Sequence, residues 1–155
     1  MNILATQYTL SLKSLDIYVA GCRGDNGVHC TSCHNPETWK FNQGDKYNKF
    51  VLNKIKNKIN DFDNIINNIM IFGGEPLDQN HNDLLHMLSD LKQFNKDVWL
   101  FTRYTINKVP KEVKNLCDYI KCGSYEPELK TNSNIQYGIN LATSNQNIYK
   151  KGVDY

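Results

Sequence analysis

Three short apolar runs constrain this chain more than any other feature: Leu15 to Ala20 (LDIYVA), Asn68 to Phe72 (NIMIF) and Val98 to Phe101 (VWLF). Each is too short for a buried helix and is rich in the β-branched and aromatic residues that strands favour. The second and third hold continuous apolar stretches, the pattern of strands covered on both faces in a parallel sheet. Helical stripes lie between them. Tyr47, Phe50, Val51, Ile55 and Ile59 recur at helical spacing with lysines on the other face, and Leu84, Leu85, Leu88 and Leu91 make a second stripe. Pro110 opens a short helix carrying Val113, Leu116 and Cys117. Tyr119 to Lys121 reads as a fourth strand ended by Gly123, and Ile139 to Ala142 as a fifth. This alternation predicts an α/β fold with a mainly parallel sheet, in one compact domain over residues 1–155. A complete eight-fold barrel needs at least about 200 residues. The expectation is therefore an open partial (β/α) barrel.

Composition narrows the function. The chain has 18 Lys plus Arg against 16 Asp plus Glu, a net charge of +2, with 40% hydrophobic residues. That balance argues against a disordered chain and against an electrostatic nucleic-acid binder. Apolar runs of four to six residues fall far short of the roughly 20 needed to span a bilayer. The first residues lack a basic stretch followed by an apolar one, so a cytoplasmic protein is expected.

Cysteine usage is the informative deviation. Of five cysteines, Cys22, Cys30 and Cys33 fall within twelve residues, spaced Cys-x7-Cys-x2-Cys, with His29 and His34 beside the last two. Such a cluster indicates metal binding more readily than a disulfide framework. Thiolates suit both an iron–sulfur cluster and zinc, and the spacing admits either; zinc would need His29, His34 or a distant cysteine as its fourth ligand. Two more unusual segments follow strands: Gly73-Gly74-Glu75-Pro76 after the second, Thr102-Arg103-Tyr104 after the third. Ligand sites in parallel α/β folds form at the carboxyl ends of strands, so the three segments should converge. The glycines let a ligand approach the main chain, Glu75 suits a cationic amine, and Pro76 stiffens the turn.

A three-cysteine loop after the first strand, followed by Gly-Gly-Glu-Pro at the end of another, resembles the radical S-adenosylmethionine (SAM) superfamily. Within it the chain is most similar to the activases of glycyl radical enzymes, in particular those of anaerobic ribonucleotide reductase. The segments VAGCRGDNGVHCTSCHNPETWKF, IFGGEPL, DVWLFTRY and ATSNQNIY carry the resemblance, which covers nearly the whole chain. It implies a [4Fe-4S] cluster on Cys22, Cys30 and Cys33, whose open iron takes the amino and carboxylate groups of SAM. Glu75 and the Gly73-Gly74 backbone would hold the SAM amine. Thr102, Arg103 and Tyr104 would reach its carboxylate or ribose, with Arg103 the natural carboxylate partner. Ser144, Asn145 and Gln146 would lie at the adenosine end or the rim. The partners implied are a glycyl radical protein, an anaerobic ribonucleoside-triphosphate reductase, and an electron donor such as a flavodoxin or ferredoxin. No membrane or nucleic-acid partner is expected.

The loop departs from the family pattern of Cys-x3-Cys-x2-Cys by four extra residues between the first two cysteines. Ser32 stands where many superfamily members carry an aromatic residue, and His34 where reductase activases often have Tyr. Two other functions stay open on the sequence: a radical SAM enzyme acting on another peptide or a small molecule, and a zinc-stabilised binding module.

Overall fold

The computed structural model describes residues 1–155. Nine strands are formed: β1 (Asn2–Thr9), β2 (Ser14–Ala20), β3 (Asp45–Lys46), β4 (Asn68–Gly73), β5 (Asp97–Phe101), β6 (Tyr119–Cys122), β7 (Ile135–Gln136), β8 (Ile139–Asn140) and β9 (Asn147–Lys150). The helices are α1 (Lys49–Asp61), α2 (His81–Lys92) and α3 (Lys111–Leu116). Seven strands make one sheet in the order β3-β1-β2-β4-β5-β6-β9, while β7 and β8 pair separately.

The open partial barrel and the mainly parallel sheet are both overturned. The sheet is mixed: β2, β4, β5 and β6 run parallel, but β1 pairs antiparallel with β2 and with β3, and β9 pairs antiparallel with β6. The physical reason lies at the edges. Lys13 adopts a left-handed conformation (φ 48°) after a short 3-10 turn, which doubles the chain back and makes β1–β2 a hairpin instead of a helical crossover. At the opposite edge β9 returns antiparallel and has its outward amides capped: Ile148 N–H donates to Gln136 Oε1 (2.8 Å) and Lys150 N–H to Asp154 Oδ2 (2.7 Å). Neither edge offers a parallel partner, and three helices are too few to ring a barrel.

The helical connections behave as the sequence indicates. Asn48 caps α1 by accepting from Phe50 N–H (2.9 Å) and Val51 N–H (3.1 Å), and Asn80 caps α2 through Asp83 N–H (3.1 Å). Helix α1 buries Val51, Ile55 and Ile59, with Phe50 left exposed. Helix α2 buries Leu84, Met87, Leu88 and Leu91. Strands β2, β4, β5 and β6 follow one another in a single direction across the sheet, so right-handed crossovers deliver all three helices to the same face. There Leu15, Ile17, Val19, Ile69, Ile71, Val98, Leu100 and Ile120 form the main core with them. Each fully buried Leu or Ile contributes about 1.5–3 kcal/mol.

The other sheet face has no helix. Met70 and Trp99 pack there against Leu141 and Ile148 from the C-terminal segment. Alongside, an aromatic row runs across three strands, Tyr18 to Phe72 (5.7 Å between centroids) and Phe72 to Phe101 (4.1 Å). The proposed fifth strand shrinks to Ile139–Asn140 and lies outside the main sheet, its place at the edge taken by β9. No helix is long and apolar enough to cross a membrane.

Candidate functional site

The loops leaving the carboxyl ends of β2, β4, β5 and β6 meet at one end of the sheet, and a cleft of about 220 Å³ opens between them on the helix-free side. Cys22, Cys30, Cys33, Gly73, Gly74, Glu75, Thr102 and Arg103 line it, over a floor of Phe72 and Phe101. The strand-end argument therefore brings the three segments together despite the absence of a barrel.

The cysteine loop is held at both ends. Gly21 N–H donates to Thr38 O (2.6 Å) and Cys22 N–H to Trp39 O (3.0 Å), folding the end of the loop against its start. His29 stacks on Trp39 (centroids 4.1 Å apart, 13° between planes) and donates from Nε2 to the Cys22 carbonyl (2.9 Å). Burial pushes the Cys22 thiol pKa up, partly opposed by Gly24 N–H, which lies 3.4 Å from Sγ. Cys30 and Cys33 sit on one turn closed by Cys33 N–H to Cys30 O (3.2 Å).

Glycines bring β2 and β4 close at this end. Gly74 N–H donates to Val19 O (2.9 Å) and Glu75 N–H to Gly21 O (2.8 Å). A Cβ on Gly74 would run into the Gly21 carbonyl, and one on Gly73, which also has φ +110°, into the Val19 carbonyl. Both positions thus serve backbone packing as well as the cleft wall.

Glu75 is buried (2% exposed) and fully engaged. Its Oε1 accepts from Thr102 Oγ1 (2.7 Å) and Leu77 N–H (3.0 Å), and its Oε2 from Arg103 N–H (2.8 Å). Burial raises its pKa, opposed by these three donors. Pro76 is buried and opens a 3-10 turn, without lining the cleft.

Two residues that sequence reasoning missed lie on that turn. Asp78 Oδ2 accepts from Arg23 N–H (2.6 Å) and Oδ1 from the Tyr104 hydroxyl (2.7 Å), while Arg103 Nη2 donates to the same hydroxyl (2.7 Å). Gln79 Nε2 donates to Gly21 O (3.0 Å) and Glu75 O (3.1 Å). Together they tie the cysteine loop, the Glu75 turn and the Arg103 segment into one unit. Tyr104 is therefore a support behind the cleft wall.

Burial works against the Arg103 charge, but Tyr104, Asp78 and Glu75 outweigh it and its pKa rises. Its Nε lies 4.0 Å from Glu75 Oε2 and is a buried donor without a hydrogen-bond partner. Lys121, also missed, reaches the cleft from β6 and donates to Gly123 O (2.7 Å). Burial lowers its pKa to about 8, opposed by Cys122, Glu75 and Cys30. The period-two alternation of β6 carried the signal, since Ile120 and Cys122 bury on the helix face and Lys121 points the other way. Of the C-terminal residues, Gln146 lines the cleft whereas Ser144 and Asn145 do not; Asn145 donates to Ser124 O (3.0 Å) and Glu126 Oε1 (3.0 Å).

A second cleft of about 320 Å³ shares Cys30, Cys33, Phe101, Lys121, Tyr125 and Gln146 with the first and adds His34. The pair gives room beside the thiols for a further ligand. No three His, Cys, Asp or Glu side chains converge as a ready metal cage, so a cluster held by the three thiols would have to organise its ligands on binding. The donor set fits an iron–sulfur cluster: three unpaired thiols facing one cleft, with the remaining distant cysteines buried. His29 is committed to Trp39 and the Cys22 carbonyl, which leaves His34 as the nearby imidazole for zinc.

Comparison with known proteins agrees with this chemistry. Residues 13–149 match the family of the 4Fe-4S single cluster domain. The anaerobic ribonucleoside-triphosphate reductase-activating protein of Escherichia coli K12 is 31% identical over 140 residues, covering 86% of this chain and 85% of that one. Its counterpart in Salmonella typhi is 31% identical over 74% of this chain and 75% of its own length. In Vibrio cholerae the figure is 29%, over 67% and 66%. With the thiol-lined cleft at the strand ends and similarity along most of its length, this chain belongs to the family of anaerobic ribonucleoside-triphosphate reductase-activating proteins, which carry a 4Fe-4S single-cluster domain.

Proposed function

We propose that this chain is a radical SAM activase that generates a glycyl radical on an anaerobic ribonucleoside-triphosphate reductase. The observation that carries the reading is the shared cleft, which Cys22, Cys30, Cys33, the Gly-Gly-Glu turn and Arg103 all line. Cys22, Cys30 and Cys33 would hold three irons of the cluster. So held and reduced, a cluster would supply one electron for cleavage of the S–C5′ bond of SAM, yielding methionine and a 5′-deoxyadenosyl radical that would take a hydrogen from the partner's glycine Cα and leave as 5′-deoxyadenosine.

The protein's own residues orient and shield. Arg103 Nε is the unsatisfied donor suited to the SAM carboxylate. Glu75 fixes the Arg103 backbone and, with the carbonyls around Gly73-Gly74, supplies negative potential for the SAM amine. Phe72 and Phe101 keep water from the floor of the cleft. Gln146 is the C-terminal residue in reach of the ligand, while Asn145 is turned to Ser124 and Glu126 and Ser144 lies outside the lining. An electron donor of the flavodoxin or ferredoxin class would reduce the cluster.

Anaerobic reconstitution followed by dithionite and SAM tests this reading. The expected products are 5′-deoxyadenosine and methionine, and a glycyl radical signal in electron paramagnetic resonance when the reductase is added. Substituting any one of Cys22, Cys30 or Cys33 by Ala should abolish both. A colourless protein that takes up zinc and no iron would overturn the proposal.

A further inference from the structure

The seven residues between Cys22 and Cys30 lie outside the cleft: both cysteines line it, and none of Arg23 to His29 does. They form a tight hairpin. Asp25 N–H donates to Val28 O (2.8 Å) and Val28 N–H to Asp25 O (2.9 Å), around Asn26 and Gly27 with φ of 50° and 83°. Two positive φ values in a row are the type I′ turn that Asn-Gly favours. A Cβ on Gly27 would meet nothing within 4 Å, so that glycine is present for its conformation alone.

The base of the hairpin is fixed. Arg23 N–H is held by Asp78, and His29 by Trp39 and the Cys22 carbonyl. The tip is free: Asp25, Asn26, Gly27 and Val28 are all exposed, Val28 by 71%. The chain thus presents a β-branched apolar side chain to water on a braced projection at the lip of its cleft. A small ligand seated among the cysteines cannot be reached from there. A protein that sends a segment into the cleft would have its own surface beside the hairpin, since both ends of it, Cys22 and Cys30, line the cleft.

We infer that the hairpin Arg23–His29 is a docking finger for the polypeptide substrate, with Val28 anchoring in an apolar hollow on the partner's surface. The inference rests on the proposed function in taking that substrate to be the reductase. It assigns the four-residue extension to partner recognition and leaves SAM cleavage to the cleft.

Two variants of the full chain test it, Val28→Asp and deletion of Asp25–Val28, whose ends are joined across a hydrogen-bonded pair. Titration calorimetry against the intact reductase measures affinity, alongside iron content and SAM cleavage without the reductase. The expected result for Val28→Asp is affinity weaker by about tenfold, with iron content and partner-free cleavage within about twofold of the parent. If the deletion loses iron, Val28→Asp alone decides, because it leaves the cysteine spacing intact. Unchanged affinity in Val28→Asp would overturn the inference, as would a parent chain that does not bind the reductase. A parent that binds the reductase but releases no 5′-deoxyadenosine would refute the proposed chemistry, while the binding curves still decide the finger.

Discussion

Asp78 holds three strand-end loops together, and replacing it should loosen all of them. Asp78→Ala leaves Arg23 N–H and the Tyr104 hydroxyl without acceptors. A hydrogen bond to a charged acceptor nets about 1.5–3 kcal/mol, and a buried donor left unmet costs at the upper part of that range. Two such losses are offset by relief of the repulsion between Asp78 and Glu75, which Arg103 already reduces. The expected destabilisation is about 3 kcal/mol. In a chain of this size that lowers the melting temperature by about 6–12 °C. Asp78→Asn keeps one acceptor oxygen, and its amide meets a hydroxyl able to accept, so about 1 kcal/mol and a fall of about 2–4 °C are expected. Anaerobic thermal denaturation with iron analysis after gel filtration provides the assay. The Ala variant should also retain less iron, because Arg23 directly follows Cys22. A melting temperature within 2 °C of the parent in the Ala variant, or equal losses in both, would refute the reasoning, which depends on hydrogen bonds and not on charge alone.

Glycines at two positions should respond differently to the same change. Gly74→Ala forces a Cβ into the Gly21 carbonyl, a backbone atom with no room to yield, and should cost about 2–4 kcal/mol in chemical denaturation, whereas Gly27→Ala meets open space and pays only for its positive φ, about 1 kcal/mol. Lys121→Met removes a half-buried ammonium whose folded pKa of about 8 lies below its ordinary value of 10.5. Between those values the unfolded chain binds more protons than the folded one, so parent stability rises with pH through that window. The Met variant should be more stable by about 2 kcal/mol at pH 7, with the gap closing as pH rises from 8 to 10.5. A gap independent of pH would show that the ammonium pays no burial cost. Asp78 also raises the Cys22 pKa, so Asp78→Asn should speed alkylation of that thiol at neutral pH, read by mass spectrometry.

The strands and helices that bury continuous or striped apolar residues were legible in the sequence, because burial on the helix face fixes their periodicity. Strand β1 was not: NILATQYT mixes Ala5 and Gln7, both exposed, with a single fully buried residue, Ile3. Nor was β9, whose four residues mark an edge and not a core. Alternating elements announce parallel neighbours but say nothing of how a sheet ends, and the turn at Lys13 settles that locally. This is why a barrel was expected where a mixed open sheet forms. The cysteines, Gly73-Gly74-Glu75 and Thr102-Arg103 were readable because each follows a buried strand. Asp78 and Gln79 were not, since they bind backbone groups far back along the chain, at Arg23 and Gly21; Lys121 showed only in the alternation of β6.

Strand order across the sheet has a consequence for synthesis. From β1 through β2, β4, β5, β6 and β9, spatial order is the order in which the ribosome delivers the strands. The sheet can therefore grow by accretion at one edge, each newcomer docking on a neighbour already made. Cys33 emerges 70 positions ahead of Arg103. At about 5–20 residues per second, the thiols wait several seconds before the Arg103 side of their cleft exists, and Lys121 and Gln146 come later still. Throughout that interval they are free sulfhydryls on a nascent chain, open to oxidation. Oxidation would thus act on those thiols before the cleft around them is finished, and a cluster they hold would be shielded only once Lys121 and Gln146 are in place.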